Sequence, residues 1–335
     1  MKKLMLVITG IVLALVLSAC GQKSQEEVVQ SLSKKVEEMK SYKANAKMTL
    51  KMGEESQVYD VEIWYKNPDF YRVKLKNEKK DQSQMILRNK EGVYVLTPAL
   101  NKSFHFESEW PQNSSQAYLY ESLVKDIKDD KEATFKITDS QYIFETKTQY
   151  QNNKMLPFQE IIVDKKSLAP VSVKIKDADH NVLVTVEFSN VSFNPSFKDD
   201  AFDMKQNMTG AYLEIETLAE NEESEEFTVK YPAEIEGVSL TDEEVISTDN
   251  GKRYIVTYEG DRNFTMIVEK AEAVQTLTAT PMLGDPVDLG YTIGAVTDYS
   301  VTWTYDGADY TIASQNLTRD ELIELARSVQ ASPVK

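Results

Sequence analysis

The sequence predicts an α+β chain in two parts. The first is an antiparallel sheet with one wet face and one face covered by helices, and the second is a smaller α+β domain. Three observations predict this. Apolar and polar residues alternate with a period of two over residues 44–106 and again over 133–190. Two segments, near residues 24–40 and 115–129, switch to helical spacing. An acidic run, Glu220-Asn221-Glu222-Glu223-Ser224-Glu225-Glu226, then breaks the pattern and sets off a shorter remainder.

In chain order, the first element is an export signal. Met1-Lys2-Lys3 is a short positive start, and Leu4 to Leu17 is an apolar run broken only by Thr9 and Gly10. A membrane-spanning helix needs about 20 apolar residues, so this run has the length of a signal-peptide core instead. Leu17-Ser18-Ala19-Cys20-Gly21 follows, and Cys20 is the single cysteine of 335 residues. This arrangement resembles the lipobox of bacterial lipoproteins, which implies cleavage before Cys20 and acylation of its sulfur and new amine. Each buried methylene contributes about 0.8 kcal/mol, so two or three acyl chains hold a protein in its leaflet. The expected organisation is a signal peptide at 1–19, a lipidated linker at 20–23, a first domain at 24–206, an acidic linker at 207–226 and a small α+β domain at 227–335. The expected location is the extracytoplasmic face of the cell membrane, through the lipid on Cys20.

Composition bounds the partners. Without residues 1–19, and so without Lys2 and Lys3, the chain holds 36 basic and 54 acidic side chains, a net charge of −18. Such a surface repels nucleic acid, which excludes it as a partner. A 41% hydrophobic content with 10% aromatics supports a packed core. With no thiol left after acylation, that core must suffice without disulfides.

The helices are marked at their starts. Ser24-Gln25-Glu26-Glu27 is a capping box, and Val28, Val29, Leu32, Val36 and Met39 follow at helical spacing. Val61, Ile63 and Tyr65, then Tyr71, Val73 and Leu75, read as half-buried strands joined by the turn Asn67-Pro68-Asp69. Further strands are expected at 84–88, 92–97 and 102–106. Tyr118, Leu119, Leu123 and Ile127 mark a second helix over 115–129, and strands follow near 133–138, 141–150, 157–164, 169–176 and 182–190. In the last part, 254–258 and 264–268 read as strands around Glu259-Gly260-Asp261. Asp306-Gly307 is a hairpin signal between Trp303 and Tyr310. Thr318-Arg319-Asp320-Glu321 caps a closing helix.

This order of elements resembles a known family. Trp64, Pro68, Phe70 and Arg72 match an aromatic-Pro-aromatic-Arg segment of the lipoprotein-carrier fold shared by the lipoprotein-sorting protein LolA and the anti-sigma-factor regulator RseB. Pro157-Phe158, Val163-Asp164, Leu168-Ala169-Pro170 and Phe197-Lys198-Asp199-Asp200-Ala201-Phe202 match in order, so the likeness spans about residues 25–205. The resemblance implies an unclosed antiparallel β-barrel covered by helices, with a concave apolar face that can admit acyl chains. The segment with Trp303, Asp306-Gly307 and 322–329 is similar to a small domain of unknown function in extracytoplasmic proteins of spore-forming Gram-positive bacteria. Lipid-anchored relatives of this build are linked to sporulation and germination, and one of that kind binds a cell-wall amidase. The resemblance therefore implies a binding or regulatory role toward an envelope protein, and an anchored chain does not shuttle as a sorting carrier does.

The residues themselves point away from catalysis. His105 and His180 are the only histidines, and no phosphate loop, GxSxG or HExxH motif occurs. Asp177, Asp179 and Asn181 have calcium-loop spacing, but the glycine and glutamate that such a loop requires are missing, so they read as a hairpin turn. No catalytic residue, metal ligand or cofactor is assigned, and a cell-wall enzyme stays the remotest alternative. Met48, Leu50, Met52, Trp64, Phe70 and Met85 are candidates to line a ligand cavity, the alternative being that they fill a closed core. Two readings of function follow: an anchored module that binds an envelope protein in sporulation, germination or envelope homeostasis, and one that holds acyl chains or lipoproteins. Cys20→Ala is expected to abolish incorporation of labelled palmitate and to shift the chain from the membrane to the soluble fraction. Undiminished labelling of that variant would rule out the anchor.

Overall fold

The fold is taken from a computed structural model that describes residues 23–51, 56–79, 83–111, 116–149, 156–216, 227–233, 235–273 and 278–329, without the side chains of 211–216. Cys20, Met52, the expected signal peptide and the acidic run 220–226 lie outside these residues. Helix α1 (Gln25–Glu38) starts where the capping box directs: the Ser24 hydroxyl accepts from Glu27 N at 3.3 Å and the Glu27 carboxylate accepts from Ser24 N at 2.7 Å. Its apolar stripe buries Val28 and Leu32.

Eleven strands follow from alternation: β1 (Ser41–Leu50), β2 (Gln57–Lys66), β3 (Phe70–Asn77), β4 (Ser83–Asn89), β5 (Gly92–Thr97), β6 (Lys102–Phe106), β7 (Thr134–Ile137), β8 (Gln141–Lys147), β9 (Phe158–Asp164), β10 (Pro170–Lys176) and β11 (Val182–Phe193). They form two antiparallel meanders, β1 to β6 and β7 to β11, joined by the pairing of β1 with β11. The sheet does not close, since its two outermost strands do not pair with each other. In β2 the buried set is Tyr59, Val61, Ile63 and Tyr65, and cross-strand partners continue that face into Ala44 of β1 and Val73 of β3. Helices α1 and α2 (Tyr120–Asp129) pack together over this inner face, with Tyr42 between Tyr120 (5.8 Å) and Phe193 (5.6 Å). Helix α2 begins at Tyr120 rather than near 115. Ala117, Tyr118, Leu119 and Tyr120 are all buried in succession, and a one-sided surface helix cannot bury four consecutive residues.

The linker expected over 207–226 is helix as far as Glu216. In α3 (Met204–Glu216) the Asp203 carboxylate accepts from Gln206 N at 2.8 Å, and Met208 is buried on the outer face of the first sheet.

Among the described residues the second domain is a seven-stranded antiparallel sheet with one helix. Its strands are β12 (Val238–Thr248), β13 (Gly251–Gly260), β14 (Phe264–Lys270), β16 (Asp285–Asp288), β17 (Ile293–Val296), β18 (Ser300–Tyr305) and β19 (Ala308–Ala313), in the order β12-β13-β14-β19-β18-β17-β16. The Asp306-Gly307 turn takes φ of 53° and 75°, the paired left-handed conformations of a type I′ hairpin. Helix α4 (Arg319–Ser328), capped by Thr318 and Glu321, buries Leu322, Ile323, Leu325 and Ala326 against the face that carries Trp303 stacked on Tyr310 at 5.1 Å.

The two domains share buried surface. Strand β15 (Thr280–Met282) leaves the second domain and pairs in parallel with β6, the edge of the first sheet. Gln84 Oε1 accepts from Thr292 Oγ1 (2.9 Å) and Ile293 N (2.8 Å), and Lys102 pairs with Asp309 at 2.6 Å. Buried apolar side chains of both domains form one continuous cluster.

One ionisable group is poorly placed. Both carboxylate oxygens of Glu121, on the first turn of α2, are buried, and the phenols of Tyr42, Tyr65, Tyr71 and Tyr120 surround it. Burial pushes its carboxyl up to about 7 against the opposing pull of a backbone N–H and the Tyr71 hydroxyl. A raised carboxyl favours the fold while it is protonated, so stability falls as pH rises from the unfolded value near 4.5 through 7. Glu121→Gln keeps the shape without the charge. It is expected to raise stability against urea by about 3 kcal/mol at pH 8 and to change little at pH 4. Parallel pH profiles for the two proteins would show that Glu121 is not the group responsible.

Candidate partner-binding surface

The expected ligand-lining residues do not converge on one cavity. Met48 and Leu50 are buried on the inner face, Met48 opposite Tyr59 and Val186. Trp64, Phe70 and Met85 lie on the outer face, in a separate cluster with Phe202 and Met208. There Trp64 stacks on Phe197 at 5.1 Å, and Phe70 and Phe202 approach to 5.7 Å. Arg72 lies over the Trp64 ring at 4.1 Å, pairs with Glu62, and donates from Nε to Asn207 Oδ1 at 2.6 Å. The aromatic-Pro-aromatic-Arg segment thus seats α3 and the 197–202 segment on the sheet. An apolar cavity of about 110 Å³ lies instead at the domain junction, among Tyr59, Leu75, Leu100, Tyr291 and Tyr305.

The polar candidates are held by their neighbours. His105 stacks on Tyr94 at 4.6 Å with Nε2 2.9 Å from the Glu91 carbonyl oxygen, and His180 stacks on Phe158 at 4.6 Å. The turn at 177–181 is closed by Asp177, whose carboxylate accepts from Asp179 N, Asn181 N and Asn181 Nδ2 at 2.8–3.0 Å. Those bonds, led by the Asn181 side chain, hold its carboxyl below the usual range. Among the described residues, no three His, Cys, Asp or Glu side chains are grouped to hold a metal.

What stands out is an edge. Among the described residues the large exposed apolar side chains are Leu240, Val245, Ile246, Leu283 and Tyr299, all in the second domain and three of them on β12. Strand β12 has 11 residues, of which the nine from Ser239 to Ser247 are exposed, and it is the outermost strand of its sheet. The other outermost strands are short: β7 and β16 have four residues and β15 has three. Proteins ordinarily shorten or cover free edges, because an unpaired row of N–H and C=O groups is a template for another strand.

Local chemistry fixes this hairpin firmly. Asp249-Asn250 turns the chain, Gly251 opens β13 opposite Thr248 at φ 115°, and Thr248 Oγ1 donates to Gly251 O at 2.9 Å. At the other end Gly260 passes so close to Gly237 that a Cβ there would lie 1.9 Å from the Gly237 carbonyl oxygen. Register places Leu240 opposite Tyr258, Glu243 opposite Val256 and Val245 opposite Tyr254, so these three share the face that leads into the core. Asp242, Glu244 and Ile246 are on the other face. The Glu243 carboxylate accepts from Tyr231 Oη at 3.0 Å. Burial first, and then Glu243, push the Tyr231 and Tyr258 hydroxyls up to about 12. Sequence reasoning missed β12 because a strand wet on both faces has no period of two. The Asn250-Gly251 pair was the signal that could have found it.

Comparison with known proteins places the chain. Residues 1–202 match the model of the sporulation protein YdcC-like family, and residues 202–329 match a domain of unknown function (DUF4367). The sporulation protein YdcC of Bacillus subtilis (strain 168) is 52% identical over 335 residues, covering 100% of this chain and 98% of that protein. Among solved structures, the MucA/MucB complex of Pseudomonas aeruginosa has a similar chain at 12% identity and a TM-score of 0.32, over 88% of this chain and 96% of that one. A chain in the structure of the CwlD amidase from Clostridioides difficile in complex with the GerS lipoprotein gives 17% identity and a TM-score of 0.31, over 53% and 98%. On the family match across most of its length and the 52% identity over all of it, the chain belongs to the sporulation protein YdcC-like family.

Proposed function

We propose that this chain is a membrane-anchored extracytoplasmic binding module, not an enzyme, that holds or recruits another envelope protein during spore formation. The observation that carries the reading is the long, exposed edge strand β12 with its three exposed apolar side chains. Family membership supplies the sporulation context, and the lipobox-like Leu17–Cys20 segment supplies the anchor. The acyl-chain reading has weaker support. The inner face of the first sheet is occupied by its own side chains, and the apolar cavity at the domain junction holds only about 110 Å³. The larger cleft of about 570 Å³ on the first sheet is lined by Lys47, Asp60, Glu62, Arg72, Lys74 and Lys76, charges that do not suit an acyl chain. A cell-wall amidase is the partner class that the resemblance implies.

The test is cross-linking capture from membranes of sporulating cells with the full chain, beside a Leu240→Lys/Val245→Lys variant. Both substitutions are at exposed positions, so stability should stay within about 1 kcal/mol of the parent. The parent is expected to retain an envelope protein, identified by mass spectrometry, that the variant retains at least tenfold less. Recovery of no envelope protein by the parent would overturn the reading.

A further inference from the structure

We infer that β12 accepts an extended segment of a partner protein that is basic at its centre and apolar at its flanks, added as an eighth strand to the second sheet. The inference rests on the binding-module reading above and names the chemistry of the partner. Among the described residues β13 is the strand that β12 pairs with, so its outer edge presents about 35 Å of main chain, enough for several inter-strand hydrogen bonds. Those bonds are indifferent to sequence, so selectivity comes from side chains. Asp242-Glu243-Glu244 put three carboxylates at the middle of the strand, with Leu240 before them and Val245 and Ile246 after them. Strand β12 carries no basic residue of its own. Arg253, across from Ile246, is committed to Glu269 at 2.7 Å. A strand laid along this edge therefore meets negative charge at its centre and apolar contacts at both sides of it.

The same charges reject a second copy of this chain. Antiparallel self-pairing centred on Glu243 would set Glu243 against Glu243 and Asp242 against Glu244 twice, and like charges directly opposite are destabilising. The competing reading is that the acids, with the irregularity in pairing between Leu240 and Asp242, serve only to blunt the edge against aggregation. The two readings differ in one respect: a blunted edge binds no strand, whereas a selective edge binds one of opposite charge.

Three labelled nine-residue peptides separate them: one of alternating valine and lysine, its twin with glutamate for lysine, and one that keeps the lysines but has proline at its centre. Binding to the full chain is read by fluorescence anisotropy, and its location by amide hydrogen exchange. The valine–lysine peptide is expected to bind at least tenfold tighter than either twin and to slow exchange at 239–247. The exposed double variant Asp242→Lys/Glu244→Lys should reverse the preference between the lysine and glutamate peptides. Equal binding of the proline peptide, protection outside 239–247, or no binding at millimolar peptide would each overturn the inference. A dimer in sedimentation whose protection maps to 239–247 would overturn the exclusion of a second copy. Peptide docking on β12 without capture of any envelope protein would leave this inference standing and remove the functional reading. Capture undiminished in the charge-reversed variant would do the opposite.

Discussion

The pairing of β1 with β11 is the contact on which the rest of the first domain depends. It joins segments some 140 residues apart, Met48 opposite Val186 and Leu50 opposite Val184, and turns two separate meanders into one sheet. Contacts that distant cost loop-closure entropy before they contribute anything, so they persist only if much apolar surface is buried around them. Here it is. Tyr42, Ala44, Ala46, Met48 and Leu50 all point to the same side, beneath α1 and α2. A slip of one residue would turn this whole set outward and bring Lys43 and Lys47 in, which fixes the register. Sheet and helices then fill the inner face with side chains.

The second sheet inherits its position from the first. Strand β15 extends the β6 edge, and Gln84 and Lys102 bind Ile293 and Asp309 of the second domain. Gln84 is placed by β4, whose alternation sends Met85 toward α3 while its pairing keeps Gln84 at the junction. The long edge of β12 is therefore borne on a body continuous with the N-terminal helix rather than on a tethered appendage.

Much of this was legible in the sequence for a definite reason. Antiparallel strands with one wet face write their burial as alternation, and Val61, Ile63, Tyr65 with Tyr71, Val73, Leu75 spell it out. Both capping boxes are local and carry their own partners, so Ser24–Glu27 and Thr318–Glu321 could be read without any tertiary knowledge. What failed did so where local pattern and tertiary contact diverge. Met48 and Trp64 are both large and apolar, but parity within their strands puts them on opposite faces of the sheet, and a list of apolar residues does not carry parity. Helix α3 lacks an amphipathic run. Its cap, Asp203, and its buried Met208 acquire meaning only against Trp64, Phe70 and Phe202. Strands β15 to β17 are three or four residues long, too short for a period to register.

Strand β12 is the reverse case, an element whose sequence is quiet because its environment is water. Val238 to Thr248 contains β-branched residues at five of 11 positions, which suits a strand, yet carries three adjacent acids that interrupt any alternation. In a strand meant only to close a sheet, one face would be apolar and the other polar, and neither holds here: Leu240 and Val245 share a face with Glu243, as Ile246 does with Asp242 and Glu244. A mixed code on both faces has little value for packing within this chain. It has value against a partner, because main-chain bonds supply affinity to any extended segment and the carboxylates supply a reason to choose among them. The edge thus combines the two requirements of a selective strand acceptor, a free ladder and a charge pattern that its own copy does not complement.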